Sequence, residues 1–277
     1  MTQQLWWKSG IIIEDKSGNQ FVWIPAKTET AGGANIKLIS GKTVNIVYCR
    51  KNYGFFSSET DTYEDYTESL SAKEENSINK NGGYYIGRYE TGDADAQTYR
   101  EGTTDIRNIA IKEGQVPYNW ISYNDAENIA NSMWQNQNYT TSTTELLSGY
   151  AWDTAIEFIQ SVNSDNYLKD YGVSSPDGNY GDTQFYYANI GENEKNNLKS
   201  INQEELVPTG QSNPVCNIFD MGGNLFEWIT EKFSDSSEYV DRGGGYIYLY
   251  NGRPAGFRGH YPTANVDIGF RIGLYLN

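Results

Sequence analysis

The chain has 277 residues, a formal net charge of −15 at pH 7 and a pI near 4.5, and 38% of its residues are hydrophobic. This length suits one large domain or two small ones, and the apolar share can support a core. The excess of carboxylates argues against nucleic acid as the main partner, because a phosphate-binding surface needs clustered lysine and arginine.

The opening residues, MTQQLWWKSGIII, lack a basic segment followed by a long apolar run. The sequence therefore predicts neither a signal peptide nor insertion into a membrane. The two cysteines, Cys49 and Cys216, are too far apart to suggest a disulfide framework. Two free, buried thiols are the favoured prediction, with a single bridge as the alternative.

The first half of the chain contains three predicted strand regions: NQFVWIPA (Asn19 to Ala26), VNIVYC (Val44 to Cys49) and GGYYIGRYETG (Gly82 to Gly92). They are rich in aromatic and β-branched residues. Ser57 to Asn81 is polar and acidic with little periodicity, which predicts a long surface excursion. We assign it to a wider polar insert at about residues 27–80.

Two amphipathic helices are predicted in the middle of the chain. The first, SYNDAENIANSMWQN from Ser122 to Asn136, begins with a serine three residues before Asp125, a capping-box-like start. The second, SGYAWDTAIEFIQSVN from Ser148 to Asn163, has apolar residues at helical spacing. Irregular sequence then runs to about Pro214. The last quarter alternates short strands with glycine turns and ends in the predicted strand FRIGLYL.

The segment NIFDMGGNLFEWITE, Asn217 to Glu231, resembles the signature of the formylglycine-generating-enzyme/sulfatase-modifying-factor family. GGYYIGRYETG, VPYNWISYNDAENIA, YANIG and the closing RGGGY and IGFR follow the order of that family's other motifs. The resemblance covers about Phe21 to Asn277. It implies an α+β fold of the C-type-lectin-like class, in its sulfatase-modifying-factor version. Such a fold has two main helices, small antiparallel sheets and much irregular loop, here as one domain over residues 1–277.

Calcium is the one cofactor that the resemblance implies. In the family a calcium ion is held by the signature segment, and the ligands carried over are the side chains of Asp220 and Glu227 and the carbonyls of Gly223 and Leu225. Carboxylate and carbonyl oxygens are the donors that calcium prefers, and a glycine pair lets the backbone bend toward them. The alternative is that Asp220 and Glu227 only cap turns and pair with arginine. Arg242 and Arg271 are predicted to be structural.

Catalysis is not predicted, although the family contains enzymes. Those enzymes oxidise a substrate cysteine with two active-site cysteines, and the aligned positions here hold Tyr248 and Arg253. Neither side chain supports thiol or soft-metal chemistry. Related iron-dependent sulfoxide synthases need a histidine cluster, whereas His260 is the only histidine in the chain. An oxidoreductase of the family and a purely structural virion or envelope domain remain the alternatives.

The closing segment, residues 239–277, resembles another branch of this fold, the variable proteins of diversity-generating retroelements. RGGGY, PAGFR and IGFR match their scaffold, between whose residues positions are diversified by mutation at template adenines. The segment contains no Lys, Glu, Gln, Met or Trp. These five types cannot arise from an asparagine codon by mutation of its adenines. A chance shortage in a strand segment rich in glycine and tyrosine is the alternative.

The resemblance divides the closing segment into a contact face and a scaffold. The predicted ligand-facing residues are Ile247, Tyr248, Tyr250, Asn251, Arg253, Phe257, His260, Tyr261, Asn265 and Asp267. The predicted scaffold residues are Gly243, Gly244, Tyr246, Pro254, Arg258, Ile268, Gly269 and Phe270. Tyrosine and arginine suit a binding surface, because they give a large contact area and adaptable polar contacts.

The sequence therefore predicts a non-catalytic, C-type-lectin-like binding protein whose closing segment is diversified. Its partner would be a protein or a glycan on a cell surface. Its location would be a phage virion or a bacterial surface.

Overall fold

A computed structural model of the protein describes residues 10–38, 40–134, 140–234 and 238–277. Its helices are α1 (Ala72–Asn76), α2 (Tyr123–Ser132) and α3 (Gly149–Val162). Both main helices begin as predicted, because the hydroxyls of Ser122 and Ser148 accept hydrogen bonds from backbone N–H groups of the first turn. The predicted end of the first main helix, residues 135–136, and the opening residues 1–9 lie outside the described residues.

The strands are short and alternate with long irregular segments. In chain order they are β1 (Ile12–Glu14), β2 (Gln20–Pro25), β3 (Ala34–Lys37), β4 (Thr43–Ile46), β5 (Tyr66–Thr67), β6 (Gly83–Gly87), β7 (Gly92–Asp93), β8 (Ile109–Ala110), β9 (Val116–Pro117), β10 (Ser142–Leu146), β11 (Phe185–Tyr187), β12 (Asn197–Lys199), β13 (Phe226–Phe233), β14 (Tyr239–Arg242), β15 (Arg258–Tyr261), β16 (Ile268–Phe270) and β17 (Ile272–Leu276).

Two five-stranded sheets organise the described residues. The first has the order β1-β2-β6-β17-β10 and is antiparallel throughout. The second has the order β15-β14-β13-β16, and β5 pairs with the far end of β13. Strands β13 and β16 run parallel, whereas the other strand pairs of this sheet are antiparallel. This mixed α+β architecture, with two main helices and much loop, confirms the predicted fold class.

The core is rich in large aromatic side chains. Trp152 of α3 and Trp228 of β13 are fully buried, and each indole N–H donates to a backbone carbonyl. The bond from Trp152 reaches Ala255 at 2.8 Å, so it ties α3 to the closing segment. The partner of Trp228 is Ile121, which immediately precedes α2. Buried indoles with a satisfied N–H are strong packing anchors.

The surface excursion predicted for Ser57 to Asn81 is wrong in part. Tyr66 and Ile78 are buried, and β5 extends the second sheet. Buried Glu74 accepts hydrogen bonds from the hydroxyls of Tyr48 and Tyr275, at 2.9 and 3.0 Å. A few apolar and tyrosine side chains therefore pack this polar segment against the core. The average composition of the segment does not indicate this packing. The assignment of the whole chain to one domain stays a prediction.

Among the described residues, none of the helices is both long enough and apolar enough to pass through a membrane.

Candidate functional site

A buried ionic cluster holds the strands from which the closing segment is built. Arg242 of β14 and Arg258 of β15 both donate to the carboxylate of Asp153 in α3, each at 2.5 Å. Arg258 also pairs with Glu231 of β13 at 3.0 Å. All four side chains are fully buried. Buried guanidiniums need such partners, so Asp153 and Glu231 fix where β14 and β15 lie.

The three glycines after Arg242 allow the chain to leave β14 in a tight turn. Gly243 and Gly244 adopt φ of +95° and +75°, a region that favours glycine. A Cβ on Gly244 would lie 2.1 Å from the carbonyl oxygen of Arg253. The turn thus brings residue 244 directly against the far end of the loop that carries Tyr248. Gly181 N–H donates to the Tyr248 carbonyl at 2.8 Å and holds that loop from outside.

A cavity of 290 Å³ opens on the second sheet beside this loop. Its lining residues are Ser57, Phe226, Asp241, Tyr248, Arg253, Gly259, His260, Tyr261, Asn265, Asp267 and Ile268. Most of them come from the closing segment, and six belong to the predicted ligand-facing set. The structure therefore gathers Tyr248, Arg253, His260, Tyr261, Asn265 and Asp267 around one concave surface.

Aromatic rings form one wall of the cavity and hold Arg253 in place. The guanidinium carbon lies 4.3 Å from the centre of the Tyr248 ring, 4.5 Å from Phe257 and 5.7 Å from Phe226. Such cation–π contacts orient the arginine, which forms no salt bridge with a carboxylate of the described residues. Tyr248 is half-buried and Tyr261 is 43% exposed, so both present ring surface to a ligand.

Two buried carboxylates, Asp241 and Asp267, also line the cavity. Burial and then the nearby Asp267 raise the pKa of Asp241 to about 8. Burial likewise raises the pKa of Asp267 above its ordinary value. His260 is differently placed: its ring stacks on Phe233, and its two nitrogens lie against Glu238 and Asp61.

Four predicted ligand-facing residues do not line the cavity. Ile247 and Tyr250 are half-buried, and Asn251 is exposed at the tip of the loop. Phe257 is only 2% exposed, so the prediction that its side chain faces a ligand is wrong. Its ring packs against Phe226 and lies beneath the guanidinium of Arg253, so the contacts of the second sheet bury it.

Sequence reasoning missed Asp241, Ser57 and Phe226. Asp241 precedes the RGGGY motif and was not distinguished from an ordinary strand residue. Its pairing with Gly259 across β14 and β15 is the structural feature that gives it room. Ser57 comes from the insert, and Phe226 belongs to the signature segment, so both reach the cavity only through tertiary folding.

The donors of the predicted calcium site are engaged within the chain. Both carboxylate oxygens of Glu227 accept from Arg271, at 2.6 and 2.9 Å. Those of Asp220 accept from Ser212 and from the Gly210 N–H. A calcium ion bound by the Glu227 carboxylate would have to displace Arg271 from it. Calcium binding through these side chains with the Gly223 and Leu225 carbonyls stays a prediction, which a rise in Tm on adding calcium would support.

The two thiols lie apart from the cavity. Both are free, as predicted; Cys216 is buried and Cys49 is half-buried. Burial raises the pKa of Cys216 to about 12, and Asn163 donates to its sulfur at 3.3 Å. Burial also raises the pKa of Cys49. A thiol whose pKa is raised holds less thiolate at neutral pH than an ordinary cysteine.

A family model described as sulfatase-modifying factor enzyme 1-like domain matches residues 19–274. PvdO from Pseudomonas aeruginosa is 17% identical, with coverage of 97% of this chain and 99% of that chain and a TM-score of 0.47. CarF is 17% identical over 70% of this chain and 87% of its own, with a TM-score of 0.45. Treponema denticola variable protein 1 is 12% identical, with coverage of 95% of this chain and 98% of its own and a TM-score of 0.44. No curated protein matches the chain.

Proposed function

The chain belongs to the sulfatase-modifying factor enzyme 1-like family, and from this premise we propose that it is a binding protein that performs no catalysis at its cavity. The observation that carries the proposal is the cavity itself, which gathers six predicted ligand-facing residues between buried scaffold residues. Tyrosine rings and an arginine give it the composition of a recognition surface rather than that of a reaction centre.

The residues at the positions of the family's catalytic cysteines support this proposal. The resemblance aligns Tyr248 and Arg253 with those cysteines, and both residues line the cavity. Neither Cys49 nor Cys216 lines it. Thiol oxidation needs a reactive thiolate at the point of substrate contact. Turnover of a cysteine-containing peptide by the copper-loaded or iron-loaded protein would contradict the proposal.

We further propose that residues 239–277 are diversified by a retroelement. Half-exposed and exposed positions in this segment alternate with buried scaffold residues such as Arg258 and Phe270. Substitutions at such surface positions usually change stability by no more than about 0.5 kcal/mol, so the frame tolerates variation. Neighbouring DNA that encodes a reverse transcriptase and a near-copy of the segment differing at adenines would support this. Sister sequences without variation there would oppose it.

The partner we propose is a protein or a glycan on a cell surface, with the chain itself displayed on a virion or a bacterial surface. We expect a fluorescently labelled protein to bind at least one strain in a panel of bacterial cells. Replacing Tyr248 and Tyr261 together by alanine should weaken that binding at least about tenfold, since aromatic anchors at the centre of an interface often contribute more than 1 kcal/mol each.

Tyr167→Ala is the matched control, because this tyrosine is 59% exposed and does not line the cavity. It should bind cells as the unmodified protein does. Equal binding by the unmodified protein, the double alanine variant and Tyr167→Ala would reject the proposed function. So would turnover of the cysteine peptide by a protein that binds none of the cells.

A further inference from the structure

Two acidic side chains in the cavity have fewer partners than buried charges need, although the carboxylate of Asp267 accepts a hydrogen bond from its own backbone N–H. Asp267 is 6% exposed, and its Oδ1 accepts no hydrogen bond. Asp241 is 4% exposed, and no described residue donates to its carboxylate or lies within 4.0 Å of it as a cation. Buried carboxylates are normally paired or hydrogen-bonded. Buried carboxylates in a cavity that lack hydrogen-bond donors or cations point to a ligand that supplies them.

The strand pairing keeps the space around Asp241 open. Asp241 lies opposite Gly259 across β14 and β15. A Cβ on Gly259 would come within 2.1 Å of the Asp241 Oδ1. A side chain at this position would therefore displace the carboxylate, so Gly259 leaves room for Asp241 on this face of the sheet.

Arg253 partly opposes the rise that burial causes in the pKa values of Asp241 and Asp267, so its positive charge reaches both carboxylates. Arg253 is stacked on Tyr248 and Phe257 and forms no ion pair with a described carboxylate. His260 is engaged by Glu238 and Asp61. When both carboxylates are ionised, two negative charges face the single positive charge of Arg253. One negative charge in the cavity then remains unbalanced.

We propose that this cavity binds a monovalent organic cation, the guanidinium or ammonium group that an arginine or lysine side chain presents, with Asp241 and Asp267 as its counter-charges. The inference rests on the proposed binding function and names the ligand chemistry of the same site. The volume of 290 Å³ lies at the lower end for ligand pockets and suits one side chain.

The walls favour an organic cation over a metal ion. The ring of Tyr261 lines the cavity and is 43% exposed, and aromatic faces attract ammonium and guanidinium groups. No cluster of three or more His, Cys, Asp or Glu that could hold a metal ion occurs among the residues that the structure describes. Two carboxylates beside aromatic rings thus match a soft, extended cation better than a small, hard one.

The binding should strengthen as the pH rises. The pKa of Asp241, raised by burial and by Asp267 to about 8, means that the empty cavity holds a proton at neutral pH. Arg253 and Arg242 oppose this rise, and Tyr248, Tyr261 and His260 are the other titratable groups that line the cavity. A bound cation replaces the proton. The carboxyl is ionised in the complex and protonated when free, so affinity increases with pH up to about 8.

The test uses the full chain and NMR titration with N-acetyl-arginine amide and N-acetyl-lysine amide. N-acetyl-citrulline amide is the uncharged analogue of nearly the same shape. We expect at least one of the cationic probes to bind about tenfold or more tightly than the citrulline probe, with shifted signals at the cavity. Asp241→Asn and Asp267→Asn should each remove that preference, whereas Asp165→Asn, an exposed carboxylate elsewhere, should keep it.

Equal binding of the arginine, lysine and citrulline probes would overturn the proposal, as would no binding by any of them. A response to calcium chloride without a response to either cationic probe would also overturn it. The NMR spectra of Asp241→Asn and Asp267→Asn show whether each variant is folded. One folded variant of the two is sufficient for the test. If the probes fail but Tyr248→Ala with Tyr261→Ala still abolishes cell binding, the proposed function stands and only the ligand class is wrong. If both experiments fail, the proposed function fails too.

Discussion

Replacing Asp153 with alanine is expected to lower the free energy of unfolding by about 3 to 5 kcal/mol, the range found when one partner of a buried ion pair is removed. The carboxylate of Asp153 accepts from Arg242 and Arg258 at 2.5 Å each, and all three side chains are fully buried. The variant leaves Glu231, which also pairs with Arg50, as the remaining carboxylate partner of the two guanidiniums. Arg242 lies in β14 and Arg258 in β15, the strands beside the cavity. The loss of unfolding free energy in urea therefore measures how strongly Asp153 stabilises the binding face.

Glu157→Ala is the control for this loss, because Glu157 lies one turn further along the same helix. Its pair with Lys51 is partly exposed, and such pairs contribute about 0 to 1 kcal/mol. Equal losses for the two variants would show that the buried cluster does not hold β14 and β15.

The pH dependence of this cluster has a definite sign. Burial by itself would raise the pKa of Asp153, but Arg242 and Arg258 outweigh it and hold that pKa below its ordinary value. A depressed carboxyl pKa stabilises the fold above the unfolded value of about 3.9 and loses that contribution as the pH falls through the folded value. The advantage of the unmodified protein over Asp153→Ala should therefore shrink only in acid.

Gly244→Ala is expected to destabilise the protein by about 2 to 5 kcal/mol. About 1 to 2 kcal/mol comes from the left-handed backbone at φ +75°. Crowding adds about 1 to 3 kcal/mol, since the new Cβ would lie 2.1 Å from the Arg253 carbonyl oxygen. The clash also pushes away the loop end that carries Arg253, so cell binding should weaken together with stability.

Gly252→Ala separates this close approach from a general effect of adding a methyl group. Gly252 is exposed in the same loop, and a Cβ there would meet only the Leu249 carbonyl oxygen at 3.7 Å. We expect a change within about 0.5 kcal/mol. A loss at Gly252 as large as that at Gly244 would show that the loop, rather than the turn, is sensitive.

Local signals in the sequence were sufficient for the elements that frame the site. Ser122 and Ser148 mark the starts of α2 and α3, because a serine hydroxyl can accept from one of the N–H groups that the first helical turn leaves unpaired. The strand β2 follows from its aromatic and β-branched residues and the proline that ends it. Arg242 and Arg271 are buried against carboxylates, as predicted.

The composition of the cavity could not be derived in the same way. Asp241 becomes part of it only because β15 places Gly259 opposite, which is a property of strand register. Ser57 reaches it from nearly two hundred residues away. Phe257 has the same aromatic character as the exposed tyrosines, so its burial beneath Arg253 depends on the turn geometry. Contacts between distant segments carry no local sequence pattern.

The central claim is that a rigid frame carries a contact face whose residues can be exchanged without loss of the fold. Urea unfolding of a combined variant, with serine at Ile247, Tyr250, Asn251, Tyr261 and Asn265, tests it most directly. The account predicts a cooperative transition and a total loss of about 2.5 kcal/mol, since a substitution at an exposed or half-buried position away from the core usually costs about 0.5 kcal/mol. Phe257→Ser alone should cost more, because that ring is buried. A combined variant that is unfolded, or that loses as much stability as Asp153→Ala, would contradict the account.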